Sequence, residues 1–194
     1  MKGRESGMPD PSYWDTFFNP NCILARLDCG GPCGDVVEFG CGYGTFTVAA
    51  AGAVEGRVLA LDIEPDLVAL TTDKAREVGL TNVTARVRDF VADGTGLPDG
   101  CAGYAMLFNI LHLEDPVALL REARRVLAPG GLVAAIHWRT DIATPRGPSM
   151  PIRPSAEQCR AWGHEAGLEF VRYESLCCCS WHWGLVMRTP IGLA

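Results

Sequence analysis

The residues best suited to chemistry stand just after short apolar runs. Glu38-Phe39-Gly40-Cys41-Gly42-Tyr43-Gly44 closes the first such run. Its alternate glycines let backbone amides approach a ligand, because no Cβ stands in the way. The third glycine falls at position 44 and Thr45 follows, which departs from the G-x-G-x-x-G fingerprint of dinucleotide sites and counts against NAD. A G-K-[ST] phosphate loop is also missing, so the parts for nucleotide hydrolysis are not there. Asp62 ends the second run, 18 residues after Gly44, where an acid can accept hydrogen bonds from both hydroxyls of a ribose. Each such bond contributes about 1.5–3 kcal/mol. Taken singly, the features have plainer readings: a tight turn for the glycines, an exposed acid at a helix start for Asp62. Asp89-Phe90 follows the third run, offering a carboxylate and a ring to an adenine edge and face. The fourth run ends in Phe108-Asn109-Ile110-Leu111-His112, and the fifth carries His137.

These positions act together only if the ends of several runs meet on one edge. From about residue 34, β-rich apolar runs alternate with helical segments, the pattern of parallel βαβ units. Strands are expected over 34–39, 57–62, 82–88, 103–108 and 132–138. Helices are expected over 45–53, from Pro65 to a stop at Gly79, and after Asp115-Pro116, where Val117, Leu119, Leu120, Ala123, Val126 and Leu127 share a face until Pro129-Gly130-Gly131. Residues 139–154 hold four prolines and read as a surface loop. A helix over 155–167 takes Ser155 as N-cap and Gly167 as stop. Two closing strands, 168–176 and 181–188, form a hairpin. Ahead of the sheet, residues 13–27 carry Trp14, Phe17, Phe18, Ile23, Leu24 and Leu27, a helical segment packed on the sheet or lidding it.

A chain of 194 residues suits one domain: an N-terminal cap over 1–33, a cofactor-binding core over 34–139, and a substrate-side loop, helix and hairpin over 140–194. Hydrophobic residues make up 48% and charged residues 21%, an ordinary globular balance. No apolar window reaches 18 residues, and the first residues lack the apolar core of a signal peptide; a soluble, cytoplasmic protein that does not engage a membrane is expected. The net charge of −6 argues against nucleic acid and anionic surfaces as partners. The charge is uneven: residues 1–138 hold 11 basic and 18 acidic groups, residues 139–194 hold 6 and 5, so an anion-reading surface belongs in the last third. Nine cysteines without a C-x-x-C pair suggest neither a disulfide framework nor structural zinc, and they are expected to be reduced.

The motifs VVEFGCGYGTFTVAA, VLALDIEPDLV, Asp89-Phe90, LPDG, NILHLEDP and RVLAPGG, in that order, closely resemble those of the class I S-adenosylmethionine-dependent methyltransferases, in particular the small type 11 kind, over about residues 34–140. The resemblance implies an α/β, doubly wound three-layer sandwich with a seven-stranded, mostly parallel sheet of order 3-2-1-4-5-7-6 and an antiparallel last strand. It implies S-adenosyl-L-methionine as cofactor and S-adenosyl-L-homocysteine as product. Glu38, Gly40, Gly42 and Gly44, with Phe39 among them, would shape the pocket for the methionine part. Asp62 would hold the ribose, Ile63 would pack on the adenine, Asp89 and Phe90 would meet its edge, and Asn109 would lie near the cofactor through its backbone. One departure is the Phe-Asp that often opens the fourth strand, here Gly103-Tyr104.

Methyl transfer needs an electron pair held in line with the S–CH3 bond, and positioning supplies much of the rate. A base is required only when the acceptor must lose a proton; His112 and His137 are the candidates, or else they are hydrogen-bonded supports of the pocket wall. Arg139, Arg146 and Arg153 in the proline-rich loop could clamp a carboxylate or phosphate, or pair with surface acids such as Asp141. Trp14, Phe17 and Phe18 either close over the site or form core. Cys177-Cys178-Cys179 beside His182 raises a thiol or arsenite acceptor, although adjacent strand residues face opposite ways, so only Cys177 and Cys179 could converge. The expected function is methylation of a small molecule by a monomer or homodimer; the competing reading is a cofactor-binding module without catalysis.

Overall fold

A computed structural model describes residues 8–192. Five parallel strands come first: β1 (Val36–Phe39), β2 (Val58–Asp62), β3 (Val83–Val87), β4 (Ala102–Phe108) and β5 (Leu127–Trp138). A closing hairpin, β6 (Glu169–Glu174) and β7 (His182–Arg188), completes one sheet of order β3-β2-β1-β4-β5-β7-β6. Strand β7 runs antiparallel to both neighbours, as the resemblance implied. The order reverses between β1 and β4, which opens a crevice at the C-terminal ends of the strands.

Both faces of the sheet are apolar, and side chains alternate between two cores with the strand period of two. Val37 and Phe39 of β1, Ala105 and Leu107 of β4, and Leu185 and Met187 of β7 pack on one side. There they meet α6 (Pro116–Val126) through Leu119, Leu120 and Ala123, and α7 (Ala156–Glu165) through Cys159. Val36, Tyr104, Met106, Ile136 and Val186 face the other way. That side is covered by α3 (Thr45–Ala53) through Phe46 and Ala50, and by α2 (Pro20–Arg26) through Ile23 and Leu24. The remaining helices are α1 (Pro11–Asp15), α4 (Pro65–Glu77) and α5 (Phe90–Asp93), with a 3-10 turn at Met150–Ile152.

Local chemistry accounts for the helix ends. Ser155 and Gln158 form a reciprocal capping box on α7. Pro65 and Pro116 begin α4 and α6, where a missing N–H costs nothing. Residues 13–27, expected as one segment, are two short helices. Asn19 caps α2 by accepting from the Cys22 amide at 3.1 Å, and Pro20 opens it, so α1 ends upstream. The departure at Gly103 also has a reason. A Cβ there would lie 1.9 Å from the Cys33 carbonyl, and the strand slips register between Ala102 and Tyr104. The buried Tyr104 hydroxyl donates to the Leu27 carbonyl at 2.7 Å, tying α2 to the sheet.

One expectation is overturned. The cysteines are not all reduced: Cys22 of α2 and Cys178 of the β6–β7 turn form a disulfide, with their Cα atoms 6.4 Å apart. The partners are 156 residues apart in sequence, so no local spacing announces them. Nor do Cys177 and Cys179 converge. The three cysteines lie in a turn rather than a strand; Cys177 is exposed and Cys179 buried. The Cys179 thiol donates to the Phe17 carbonyl at 2.9 Å and lies 3.0 Å from His182 Nδ1.

Candidate functional site

A cavity of about 1460 Å3 opens at the strand ends, between the glycine loop and residues 144–154. That exceeds the roughly 300–1,000 Å3 of a site for one drug-sized ligand, so two reactants fit side by side. Its first half is built by β1, β2 and the loop into α3. Asp62 is nearly buried on its wall, accepting from the Gly42 amide at 2.9 Å and the Glu64 amide at 3.0 Å. Each carboxylate oxygen retains a second lone pair for a ligand hydroxyl. Burial raises the Asp62 pKa, although the two amides oppose it. Glu38 lies deeper, hydrogen-bonded by Thr47 of α3. Desolvation pushes its pKa up to about 8, so the carboxyl is mostly protonated near neutral pH.

A polar, partly cationic ligand suits this half of the cavity. The Asn109 side-chain oxygen is buried without a hydrogen-bond partner, on a residue with φ of 58° at the end of β4. Buried acceptors are normally satisfied. Opposite it, a Cβ on Gly40 would lie 3.2 Å from the Ile110 side chain, so a larger residue there would crowd the wall. Ile63 and Phe90 add apolar surface for a flat ring. The N-terminal segment is latched over the glycine loop: Tyr43 donates to the Pro9 carbonyl at 2.7 Å and Thr45 to Asp15 at 2.9 Å.

The second half is lined by His112, Glu114, Trp14, Trp138, Trp162 and the proline-rich loop. His112 Nδ1 lies 3.2 Å from Nε2 of His137. His137 is fully buried and stacks on Trp183 at 6.1 Å between ring centroids. Burial depresses the pKa of His112, and that of His137 much further, helped by the neighbouring His112 and His182. Both rings are neutral at pH 7. Arg153 pins the loop, its guanidinium donating to the carbonyls of Arg139 (2.9 Å) and Pro148 (2.8 Å) and to the Thr144 hydroxyl (2.7 Å).

Of the residues singled out from sequence, Glu38, Gly40, Gly42, Asp62, Ile63, Phe90, Asn109, His112, Trp14 and Arg146 line this cavity. Five sit elsewhere. Phe39 is a core side chain against Phe90, 5.5 Å between ring centroids. Gly44 is the N-cap of α3, with φ of 75°, and faces Thr71. The Asp89 carboxylate caps α5, accepting from the Val91 and Ala92 amides at 3.1 and 2.9 Å. Arg139 is paired with Asp141 at 2.5 Å and flanks a separate small cleft beside Ser180. His137 stands behind His112, one layer in. Trp138, Trp162 and Gln158 line the cavity but were not singled out. Gln158 and Trp162 are one helical turn apart, a spacing that puts both on one face of α7.

Residues 36–131 match the family model described as a methyltransferase domain. The chain is 33% identical over 111 residues to the ubiquinone biosynthesis O-methyltransferase of Xanthomonas oryzae pv. oryzae, covering 56% of this chain and 44% of that protein. It is 31% identical over 186 residues to an uncharacterized 37.1 kDa protein in transposon TN4556 of Streptomyces fradiae, covering 89% of this chain and 50% of that one. The chain therefore spans about half the length of the curated relatives it matches. Among solved structures, a SAM-dependent methyltransferase from Aquifex aeolicus superposes with a TM-score of 0.80 at 23% identity, over 92% of this chain and 93% of that one.

Proposed function

Because the chain belongs to the class I methyltransferase family, we propose that it transfers a methyl group from S-adenosyl-L-methionine to a small-molecule acceptor. The carrying observation is Asp62, nearly buried on the cavity wall and accepting one amide from the glycine loop and one from its own turn. In this reading Asp62 receives the ribose hydroxyls, Ile63 and Phe90 flank the adenine, and Glu38 and Gly42 face the methionine part. When bound, the cofactor supplies an electrophilic methyl on a sulfonium.

The protein's own contribution is placement. Aromatic rings of Trp14, Trp138 and Trp162 and the pinned loop give the acceptor an apolar, water-poor bed, and His112 gives it a polar contact. An O-methyltransferase of ubiquinone biosynthesis and a C-methyltransferase of ubiquinone/menaquinone biosynthesis among the relatives support a small-molecule acceptor. Arg146 lies on the same wall, and Arg139 outside it is paired with Asp141. The cavity's cysteine is Cys41, which gives a metalloid acceptor no cluster of thiols. Among the described residues no helix is long and apolar enough to cross a membrane.

Isothermal titration with S-adenosyl-L-methionine, S-adenosyl-L-homocysteine and NAD, repeated on Asp62→Ala, tests the reading. Micromolar binding of the first two, lost in the variant, is the expected result. Binding of NAD alone, or of none of the three, overturns it. Binding without turnover across a broad panel of phenols, carboxylates and amines would favour the non-catalytic module.

A further inference from the structure

The facing histidines hold a single proton between them, and its side decides what the site can do. His112 Nδ1 and His137 Nε2 are 3.2 Å apart, so one donates and the other accepts. In the first arrangement His137 donates from Nε2. Its Nδ1 is then a bare lone pair, and His112, having accepted on Nδ1, carries its own proton on Nε2. In the second, His112 donates from Nδ1 and keeps Nε2 bare for use as a base. That forces the His137 proton onto Nδ1, where there is no hydrogen-bond partner.

The surroundings favour the first arrangement. His137 is fully buried, and a buried N–H with nothing to accept it carries its full desolvation penalty. Orphaned N–H groups are rarer in proteins than under-satisfied acceptors. The ring stacked on His137 is Trp183, whose Nε1 is itself a buried donor without a partner, so it cannot receive a second N–H. The Trp138 backbone raises the His137 pKa by less than burial lowers it, and it makes no hydrogen bond to Nδ1. The other titratable or charged groups facing the pair are Arg153 and the neutral His182 beside His137, and Glu114 and Arg146 on the cavity wall with His112. Burial keeps both rings neutral, and Arg153 adds to this at His137.

We propose that His137 fixes His112 as the Nε2–H tautomer, so that His112 meets the acceptor as a hydrogen-bond donor and selects an acceptor oxygen that arrives ionised: a phenolate, enolate or carboxylate. His137 is thus a positioning residue. The acceptor loses its proton to solvent before binding, and the protein holds the resulting oxyanion. This deepens the methyltransferase reading and rests on it for the word acceptor; the tautomer itself does not depend on the cofactor.

Long-range 1H–15N spectra of the 15N-labelled protein between pH 6 and 8, with His112→Gln and His137→Gln used to assign the rings, read the tautomer directly. Both rings are expected neutral and protonated on Nε2. A His112 ring protonated on Nδ1, or cationic at pH 7, overturns the proposal. As a second readout, 4-nitrophenol is titrated optically in the cavity. Its ionised form is expected to bind about tenfold tighter than the neutral form, one pKa unit of difference. The preference should persist in His137→Gln, whose amide can still donate to His112 Nδ1, and vanish in His112→Phe. An unshifted ionisation of bound nitrophenol also overturns it. Should the cofactor fail to bind while the spectra come out as expected, the methyltransferase reading falls and the tautomer assignment stands.

Discussion

Glu38 shows how one buried carboxyl couples binding to protons. Its pKa near 8 comes from desolvation, offset in part by Thr47, and an ammonium arriving beside it would reverse that balance. Binding of S-adenosyl-L-methionine at pH 7 should therefore release up to one proton. Calorimetry in phosphate and in Tris reads this as different apparent enthalpies, and Glu38→Gln should equalise them. The same group shapes stability in the free protein. Its folded pKa lies above the unfolded one, so its contribution is fully present below about pH 4.5 and is lost as pH rises through about 8. Chemical denaturation of the wild type should weaken over that window, and the Gln variant should lose this part of the slope. Sequence placed Glu38 at the end of a strand beside glycines, but not its protonation, which depends on α3 lying over it. Asp89 is the converse: its position after a strand suggested a ligand contact, and the nearer amides of α5 engage it first.

At the scale of elements, specific bonds add to the apolar packing that holds the N-terminal helices. The Cys22–Cys178 disulfide joins α2 to the β6–β7 turn, and Cys179 donates to the Phe17 carbonyl nearby. Closing a loop of this length constrains the unfolded chain, and such bonds contribute about 2–4 kcal/mol. Reduction, or Cys178→Ser, should lower Tm by roughly 5–15 °C, a shift of about 2–4 °C per kcal/mol at this size; differential scanning fluorimetry with and without reductant checks it. Gly103 makes a sharper case. With the Cys33 carbonyl 1.9 Å from where a Cβ would stand, Gly103→Ala must push β4 away from the segment before β1, at a cost of about 1–3 kcal/mol measurable by urea unfolding. Helices α4, α6 and α7 were legible through their N-terminal prolines or caps and their apolar periods, and α3 through the small-residue run that follows the glycine turn. The break between α1 and α2 was less so, since an aromatic stripe masks Asn19-Pro20.

For the whole molecule, the sheet order was legible through the resemblance of the motifs to the class I methyltransferases, and the cavity followed from the switch between β1 and β4. The far wall was legible only as a substrate-side loop with Trp14, His112 and Arg146 near it; its shape was not. Residues 144–154 have no periodicity, and what shapes them is Arg153 collecting carbonyls from its own loop, an arrangement that no helical or strand pattern encodes. Three of the five tryptophans, Trp14, Trp138 and Trp162, line the cavity. Intrinsic fluorescence should consequently change on titration with S-adenosyl-L-homocysteine plus an acceptor analogue, and Trp162→Phe should reduce the response; an unchanged spectrum would place the ligands elsewhere.

The covalent bond between Cys22 and Cys178 encloses the proline-rich loop within a ring of main chain. A protease that nicks the peptide bond after Arg139 or Arg146 would leave two fragments still joined. On a gel without reductant the nicked protein would migrate as one band, and with reductant as two. The wall over the cavity could thus be severed without the molecule coming apart, which offers a way to ask whether continuity of that loop, rather than its mere presence, governs access to the site.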